Sequence, residues 1–316
     1  MHDYAAPLGS FPPLNLLLRP AWGVSTLLTR LPSVAMSYRH EVTLLQREMV
    51  STLLTLEPLT KGPRIWDVDD AVWLHSRFSC VEKIVQRCDA VICGNQFIAD
   101  WVSRHNSDVS VLPTAVDIDR FRPRNDESGT EPTIIGWMGQ SSGFRFLESI
   151  GGVIRHVGEE HGSVVFRIVS DCPPPSSLLS LRGVEFVQWS ARSETRMLQS
   201  FDIGIMPIDA SPWSEGKCSY KMLLCMSCGV PVVASDFGMN TEVLKRGRVG
   251  YGVRKPEEWI QALDCLIKNP SLRRKMGSRG REVVEEFYSV RVLTPQLARM
   301  LRRETGVGSP ESGIGS

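Results

Sequence analysis

The segment 214–235 restricts the fold more than any other part of the chain, because three kinds of local pattern follow one another in it. A polar loop broken by Gly216 leads into the apolar-periodic stretch Ser219–Cys228. A short turn then leads into the β-branched run that starts at Pro231. This order predicts a loop, a helix and a strand. In such a unit the loop and the N-terminus of the helix lie together at one edge of a sheet.

Two lysines, Lys217 and Lys221, are spaced by one helical turn at the start of this predicted helix. Backbone N–H groups at a helix N-terminus are free to bind an anion, and two ammonium groups beside them suit a diphosphate. The alternative is that both side chains are solvated surface lysines. We expect a diphosphate-binding site that contains both.

Strand-like and helix-like segments alternate along the chain from about residue 130. The predicted strands are Thr133–Gly139, Val164–Ser170, Val184–Trp189, Ile203–Ile208 and Pro231–Asp236. The predicted helices are Phe144–Glu160, Glu194–Phe201 and Ser219–Cys228. This alternation predicts a parallel sheet that is covered by helices on both faces.

The first part of the chain repeats the pattern. Its predicted strands are Val42–Gln46, Arg64–Asp69, Ala90–Asn95 and Val109–Ala115. We therefore expect an α/β protein with two doubly wound, Rossmann-like parallel-sheet domains that face a cleft, where ligands bind beyond the carboxyl ends of the strands. The expected divisions are an acceptor-side domain at 1–122, a linker at 123–132, a donor domain at 133–304 and a flexible tail at 305–316. Residues 1–40 contain no convincing βαβ unit, so the first domain is expected to be truncated at its start.

Charge and cysteine content exclude several classes of protein. The 36 basic and 35 acidic side chains leave a net charge of +1, which gives no electrostatic basis for nucleic-acid binding. Eight cysteines in 316 residues are too few for a disulfide scaffold, and no secretory signal is recognisable, so a cytoplasmic location is expected.

No run reaches the ~20 apolar residues of a spanning helix. The basic run Arg273–Lys275 predicts a solvated helix face, with peripheral contact to the inner face of a membrane as the alternative.

Seven further segments carry recognisable patterns in a fixed order. They are Ile65–Trp73, Asp89–Asn95, Val111–Asp117, Ile135–Gly139, Val187–Ser190, Asp202–Pro207 and Met276–Arg281. Together with segment 214–235, this ordered set resembles the family-4 glycosyltransferases that have the GT-B fold. The resemblance covers roughly residues 40–303, and the order of the segments makes it more specific than any one of them.

The resemblance implies an enzyme that moves a sugar, with retention of configuration, from a nucleoside diphosphate sugar to the hydroxyl of a carbohydrate or lipid-linked acceptor. It implies a role in polysaccharide or glycolipid biosynthesis, with no metal or other cofactor. One alternative is a catalytically weak or inactive nucleotide-sugar-binding protein, or a fragment of an active enzyme. Another is a different GT-B enzyme, such as a sugar-nucleotide epimerase.

Two carboxylates that the resemblance leads one to expect are absent. In many family-4 glycosyltransferases, one glutamate beside the donor helix contacts the sugar and a second contacts the ribose. The corresponding positions here are Gly216 and Leu224, which matches a Gly-Lys-Cys variant of the motif. Glu215 is then the carboxylate nearest to the donor sugar. Lys217 and Lys221 are expected to hold the diphosphate and to stabilise its charge as it leaves.

Two glycine-containing turns complete the expected donor site. Gly139, Gln140 and Ser141 follow a predicted strand and precede a helix, where backbone N–H groups can approach a phosphate closely. Ordinary turn chemistry explains these residues equally well. Gly238 and Asn240 lie in a similar turn, and we expect them to contact the donor sugar.

An acidic turn, residues 67–70, follows the second predicted strand of the first domain. Carboxylates two residues apart could hold a divalent cation. We expect instead that Asp69 and Asp70 are catalytic residues that position an acceptor hydroxyl, with helix capping as the structural alternative. His75 lies just beyond them and is a further candidate for a base, although most single histidines are packing or surface residues.

Overall fold

The structure, a computed structural model, describes residues 19–49, 54–75, 80–124 and 132–305. The strands within these ranges form two separate sheets, one of four strands and one of six. Every pair of neighbouring strands is parallel. The chain therefore folds into two α/β domains, as the alternating pattern predicts.

The first domain contains four short strands. They are β1 (Thr43–Gln46), β2 (Arg64–Val68), β3 (Ala90–Cys93) and β4 (Val109–Val111), which lie side by side in that order. The helices of this region are α1 (Arg19–Ser37), α2 (Cys80–Val85) and α3 (Gln96–Val102). Short 3-10 turns cover Glu57–Leu59 and Val72–Leu74.

The second domain contains six strands. They are β5 (Thr133–Met138), β6 (Val164–Ser170), β7 (Val184–Gln188), β8 (Ile203–Met206), β9 (Val232–Ser235) and β10 (Gly250–Val253), in the spatial order β10-β9-β8-β5-β6-β7. The helices that connect the strands are α4 (Phe144–Ser149), α5 (Gly151–Glu160), α6 (Ser176–Leu179), α7 (Glu194–Gln199), α8 (Pro212–Glu215), α9 (Tyr220–Ser227) and α10 (Gly238–Lys245). The last three are α11 (Pro256–Lys268), α12 (Pro270–Phe287) and α13 (Val290–Thr305).

Helices cover the sheets, so central strands are buried on both sides. All four residues of β3 and all four of β8 are buried. On α5, Val153, Ile154 and Val157 follow the three- and four-residue spacing of one helix face, and they share an apolar cluster with Leu263 of α11. Burial of a side chain of this size stabilises the fold by about 1.5–3 kcal/mol. This face therefore fixes α5 against the sheet.

The last helix, α13, returns to the first domain although it follows the second domain in sequence. A parallel bridge joins Val116 and Ser289 just before this helix begins. Leu297 and Leu301 of α13 then pack against Ile65 in the first sheet. The C-terminal part of the chain therefore ties the two domains together.

The predicted fold class is confirmed, and all nine predicted strands are present, most of them slightly shorter than predicted. Sequence patterns missed β10, which has glycine at two of its four positions. A Cβ atom at Gly250 would lie 1.9 Å from the backbone oxygen of Val232 in β9, so close pairing excludes the β-branched residues that usually mark a strand. The single helix predicted at 144–160 is divided into α4 and α5 at Ile150.

The predicted domain limits stay predictions. Most of the expected linker at 123–132 and residues 306–316 of the expected tail lie outside the described residues. Ahead of β1, the described part of the chain holds α1 and no strand, and the first sheet has four strands against six in the second. Among the described residues, no helix has the length and apolar character needed to cross a membrane.

Candidate functional site

The two domains meet where the acidic turn of the first domain contacts loop 214–219 of the second. The thiol of Cys218 donates a hydrogen bond to the backbone oxygen of Asp69, with an Sγ–O distance of 3.0 Å. Burial raises the pKa of Cys218 to about 12, so this thiol keeps its proton. The carboxyl ends of β2 and the loop that precedes α9 therefore share one cleft, which contains most of the predicted site residues.

Lys221 lies in the first turn of α9 and is partly buried. Its Nζ is 4.9 Å from the ring centroid of Trp137 on β5, a cation–π distance. Burial, together with the positive charge of Lys217, lowers the pKa of Lys221 to about 8. An ammonium group in such a desolvated position interacts with an incoming anion more strongly than a solvated one does.

Lys217 lies on the loop before α9, and its Nζ is 5.2 Å from the ring centroid of Trp213 in α8. The hydroxyl oxygen of Ser211 caps α8 by accepting a hydrogen bond from the N–H of Ser214 at 3.3 Å, which fixes the helix that carries Trp213. The same indole ring contacts the imidazole of His75 across the cleft, with ring centroids 4.4 Å apart. His75 and Lys217, which with Lys221 forms the lysine pair, thus both contact the Trp213 ring.

Gly139 directly follows β5 and lies against the ammonium group of Lys221. A Cβ atom at this position would lie 2.3 Å from Nζ of Lys221 and 2.7 Å from the Trp137 ring. Only glycine leaves room for the ammonium group to lie against this strand end. Gly139, which the sequence predicts to contact a phosphate, therefore also sets the position of Lys221.

Ser141 and Gln140 follow Gly139 in the same turn. The N–H of Ser141 donates to Oδ1 of Asp171 at 2.6 Å, and its hydroxyl donates to Oδ2 at 3.1 Å. Burial alone would raise the pKa of Asp171, but hydrogen bonds from Ser141 and Ser170 outweigh it and lower that pKa. The donors predicted to bind a phosphate at Ser141 are thus already occupied by a carboxylate, whereas the Gln140 side chain is exposed.

Asn240 and Gly238, predicted to contact the donor sugar, lie in the turn after β9. The Asn240 side chain is fully buried. Its Oδ1 accepts a hydrogen bond from the hydroxyl of Ser219 at 2.7 Å, and its Nδ2 donates to the backbone of Ser235 at 3.1 Å. Both polar atoms therefore fix the start of α9, which Ser219 enters with a positive φ of 53°. Gly238 also has a positive φ, and a Cβ atom at this position would lie 3.3 Å from Cα of Glu215.

Asn95 connects the domains from the first-domain side. Its Oδ1 caps α3 by accepting from the N–H of Ile98 at 3.0 Å. Its Nδ2 donates across the cleft to the backbone oxygens of Glu215 at 3.4 Å and Lys217 at 3.3 Å. Since Asn95 is buried, these hydrogen bonds hold the lysine loop at a defined distance from β3.

The acidic turn is partly neutralised by an arginine from the neighbouring strand end. Nε of Arg47 donates to Oδ1 of Asp69 at 3.3 Å, and Nη2 donates to Oδ2 of Asp70. Burial and the neighbouring Asp69 raise the pKa of Asp70, against the opposing charges of Arg47 and Lys217. Burial and Asp69 also raise the pKa of Asp67 to about 6. Within the described ranges, no group of three His, Cys, Asp or Glu side chains is arranged to hold a metal ion.

The lysine pair and Gly139 lie in a region of recognised sequence similarity. Residues 134–269 match the glycosyl transferases group 1 family. Alpha-maltose-1-phosphate synthase of Mycolicibacterium smegmatis is 25% identical to this chain over 271 residues, which are 75% of this chain and 68% of that protein. The finer assignment to family 4, and the motif variant, stay predictions.

Solved structures share the two-domain architecture. Sucrose-phosphate synthase from Thermosynechococcus elongatus superposes with a TM-score of 0.71 at 14% identity, covering 96% of this chain and 83% of that one. HepE of Anabaena, in complex with UDP and glucose, gives a TM-score of 0.68 at 14% identity, covering 93% and 83%. These similarities confirm the predicted GT-B fold.

Within the region that matches this family, the two positions predicted to lack glutamates differ in their surroundings. A Cβ atom at Gly216 would lie 2.5 Å from Cβ of Ala71 and 2.9 Å from its backbone nitrogen, so the domains meet where a side chain would begin. Leu224 is 4% exposed and lines a mainly apolar pocket beside Lys221. The empty space of this pocket is about 330 Å³, open solvent at its mouth included.

Sequence patterns missed three residues of this region. Arg47 is one of 36 basic residues, and nothing in its local sequence indicates that it pairs with carboxylates 22 and 23 positions away. Asn95 was visible as part of a family-like segment, but its contact with the lysine loop spans 120 residues or more. Trp137 was also visible as part of a family-like segment, but its contact with Lys221 was not predicted, because a buried aromatic residue on a strand is usually part of the core.

Proposed function

We propose that this protein is a glycosyltransferase that moves a sugar, with retention of configuration, from a nucleoside diphosphate sugar to an acceptor hydroxyl. It acts in polysaccharide or glycolipid biosynthesis and resembles family-4 enzymes in its mechanism. The acceptor is a carbohydrate or a lipid-linked carbohydrate. The protein works in the cytoplasm, with peripheral contact to the inner face of a membrane where the acceptor is lipid-linked.

The lysine pair is the observation that carries this proposal. Lys221 lies against Trp137 and Gly139 at the end of β5, and Lys217, four residues earlier on the loop, lies over Trp213. Two cations at the start of α9 match the charge of a diphosphate, and backbone N–H groups at a helix N-terminus add to the attraction. This chemistry favours a nucleoside diphosphate as the leaving group.

In the proposed mechanism, negative charge develops on the diphosphate as its bond to the sugar breaks. Lys217 and Lys221 stabilise that charge in place of a metal ion. Asp69 and Asp70, on the opposite side of the cleft, position the acceptor hydroxyl. Glu215 is the nearest carboxylate of the lysine loop and contacts the donor sugar.

Structural relatives support the choice of ligand. The HepE structure contains UDP and glucose, and another HepE structure contains UDP-glucose. A structure of TarM contains UDP and alpha-GlcNAc-glycerol, with 14% identity to this chain and a TM-score of 0.59. A uridine nucleotide is therefore the first donor to test, without excluding the other nucleobases.

Nucleotide sugars screened by thermal unfolding test the proposal. A ligand at 100 times its dissociation constant adds about 2.7 kcal/mol of stability, which raises the midpoint measurably. We expect at least one nucleotide sugar to raise the unfolding temperature and then to release nucleoside diphosphate when acceptor sugars are added. No shift with UDP, GDP, ADP, dTDP or CDP sugars contradicts the proposal.

A catalytically weak or inactive nucleotide-sugar-binding protein is the second candidate. The contact between Gly216 and Ala71 favours it, because the position that carries a glutamate in many relatives has neither a side chain nor room for one. Such a protein responds to the same ligand in thermal unfolding but releases no nucleoside diphosphate. The product assay therefore separates the two candidates.

A further inference from the structure

The backbone conformation and the hydrogen bonds of Arg47 are unusual for a solvated surface residue. It follows β1 directly and has a positive φ of 60°, a backbone conformation that costs a non-glycine residue about 1–2 kcal/mol. Its N–H donates to the backbone oxygen of Asp67 at 3.2 Å. Its guanidinium group donates to both Asp69 and Asp70. The strained backbone directs this side chain at the acidic turn.

Asp70 lies between two sets of positive charge. Arg47 hydrogen-bonds to it from the first domain, and the positive charge of Lys217 acts on it from the second. The negative charge of Asp70 acts in turn on Lys221. Asp69 is the remaining charged neighbour, and it also pairs with Arg47. Asp70 is therefore the acidic group through which the first domain influences the lysine pair.

We propose that Arg47 is a positioning residue for donor binding: it holds the Asp70 carboxylate and offsets its charge, so that Lys217 and Lys221 stay available to a diphosphate. This inference rests on the proposed function, because it assumes that the lysine pair binds a nucleoside diphosphate. It assigns a role in donor affinity to a residue on the domain opposite the donor.

The physical reason is competition between two anions for the same cations. When Arg47 is present, the three charges of Arg47, Asp69 and Asp70 sum to −1; without it they sum to −2. A free Asp70 carboxylate then attracts the lysine pair and repels the incoming diphosphate. Asp70 is the most buried of the three, with 25% of its side chain exposed, so its charge is screened less than a charge on an open surface.

Calorimetric titration of the full chain with UDP, GDP and ADP tests the inference through a double-mutant cycle. We expect Arg47→Gln to weaken binding of the preferred nucleoside diphosphate about threefold to tenfold, and Asp70→Asn to tighten it about twofold to fivefold. The double variant should bind at least threefold more tightly than Arg47→Gln alone. Arg47→Lys keeps the charge and should stay within about threefold of the wild type.

Arg303→Gln is the matched control. Arg303 is an exposed arginine of α13 that pairs with Asp108, so its loss changes the net charge equally. Asp108 precedes β4, at the edge of the sheet opposite the cleft. Nucleotide affinity should therefore be the same in Arg303→Gln and in the wild type.

A pH series separates this electrostatic role from a merely structural one. Burial raises the pKa of Asp70, and Asp70 loses its charge when it is protonated, so the difference in affinity between the wild type and Arg47→Gln should narrow as the pH falls. A variant that is only misfolded keeps its deficit at every pH. If Arg47→Gln does not fold, Asp70→Asn alone decides, because the inference requires it to bind more tightly than the wild type.

Three results would overturn the inference. In the first, Arg47→Gln binds as well as the wild type. In the second, the double variant binds as weakly as Arg47→Gln, which means that Arg47 acts on the nucleotide directly. In the third, Asp70→Asn weakens binding. A wild type that binds no nucleoside diphosphate at all contradicts the proposed function as well, so the two failures are distinguishable.

Discussion

The two sides of the cleft are built in different ways. On the second-domain side, Lys217 and Lys221 are close in sequence, and Gly139 directly follows β5 of that domain. On the first-domain side, Arg47 reaches carboxylates 22 and 23 positions along the chain. The second-domain side presents cations with desolvated surroundings, whereas the first-domain side presents carboxylates that an arginine partly neutralises. The donor and acceptor roles that we propose therefore fall on two differently built sides of the cleft.

The largest expected effect tests the second-domain side. Lys221→Met keeps the length of the side chain and removes its charge, so nucleoside diphosphate affinity should fall by about 1.5–3 kcal/mol, the range for hydrogen bonds to charged groups. Lys245→Met, at an exposed position in the last turn of α10, is the matched control and should leave affinity unchanged. Equal affinities for the two variants would return Lys221 to the solvated-surface interpretation.

The same substitution should not destabilise the protein. Folding lowers the pKa of Lys221 from 10.5 to about 8, so the folded state disfavours the charged form. Lys221 therefore reduces stability at pH 7, and this penalty fades as the pH rises from about 8 toward 10.5. Lys221→Met should unfold at the same temperature as the wild type or higher at pH 7. A marked loss of stability would mean that the lysine is structural.

The next effect in size comes from the glycine that positions the lysine. Gly139→Ala adds a Cβ atom 2.3 Å from Nζ of Lys221, and the flexible end of that side chain must move away. We expect affinity for nucleoside diphosphate to fall about tenfold, because a displaced ammonium group loses one charge-assisted hydrogen bond. Gly151→Ala, where a new Cβ meets no atom within 4 Å, is the control for calorimetry and should bind normally.

A smaller effect concerns pH. The unliganded lysine loses its charge as the pH rises through about 8, so wild-type affinity for a nucleoside diphosphate should fall about fourfold between pH 7 and 8.5. Lys221→Met lacks this group, and its weak binding should show no such decrease over the same range. A parallel decrease in both proteins would assign the titration to another group.

The sequence predicted those structural features that depend on residues close together in the chain. Nine of the ten strands of the described residues, and the positions of the lysine pair and of the glycine turn at Gly139, follow from periodicity and local turn chemistry. Arg47 and Asn95 could not be predicted, because their partners are brought close only by the packing of two domains. For Ser141 and Asn240 the sequence predicted contacts with a ligand. In the fold, Ser141 hydrogen-bonds to Asp171 and Asn240 hydrogen-bonds to Ser219.

Turnover of the donor with and without divalent cations tests the division of roles most directly. If Lys217 and Lys221 neutralise the departing diphosphate, sugar transfer or donor hydrolysis should proceed at the wild-type rate in EDTA, and Lys221→Met should reduce it under every metal condition. The opposite result is loss of turnover in EDTA, its return with manganese, and loss of both metal and donor binding in Asp69→Asn. That outcome would make the acidic turn the donor site and would contradict the assignment of the diphosphate to the second domain.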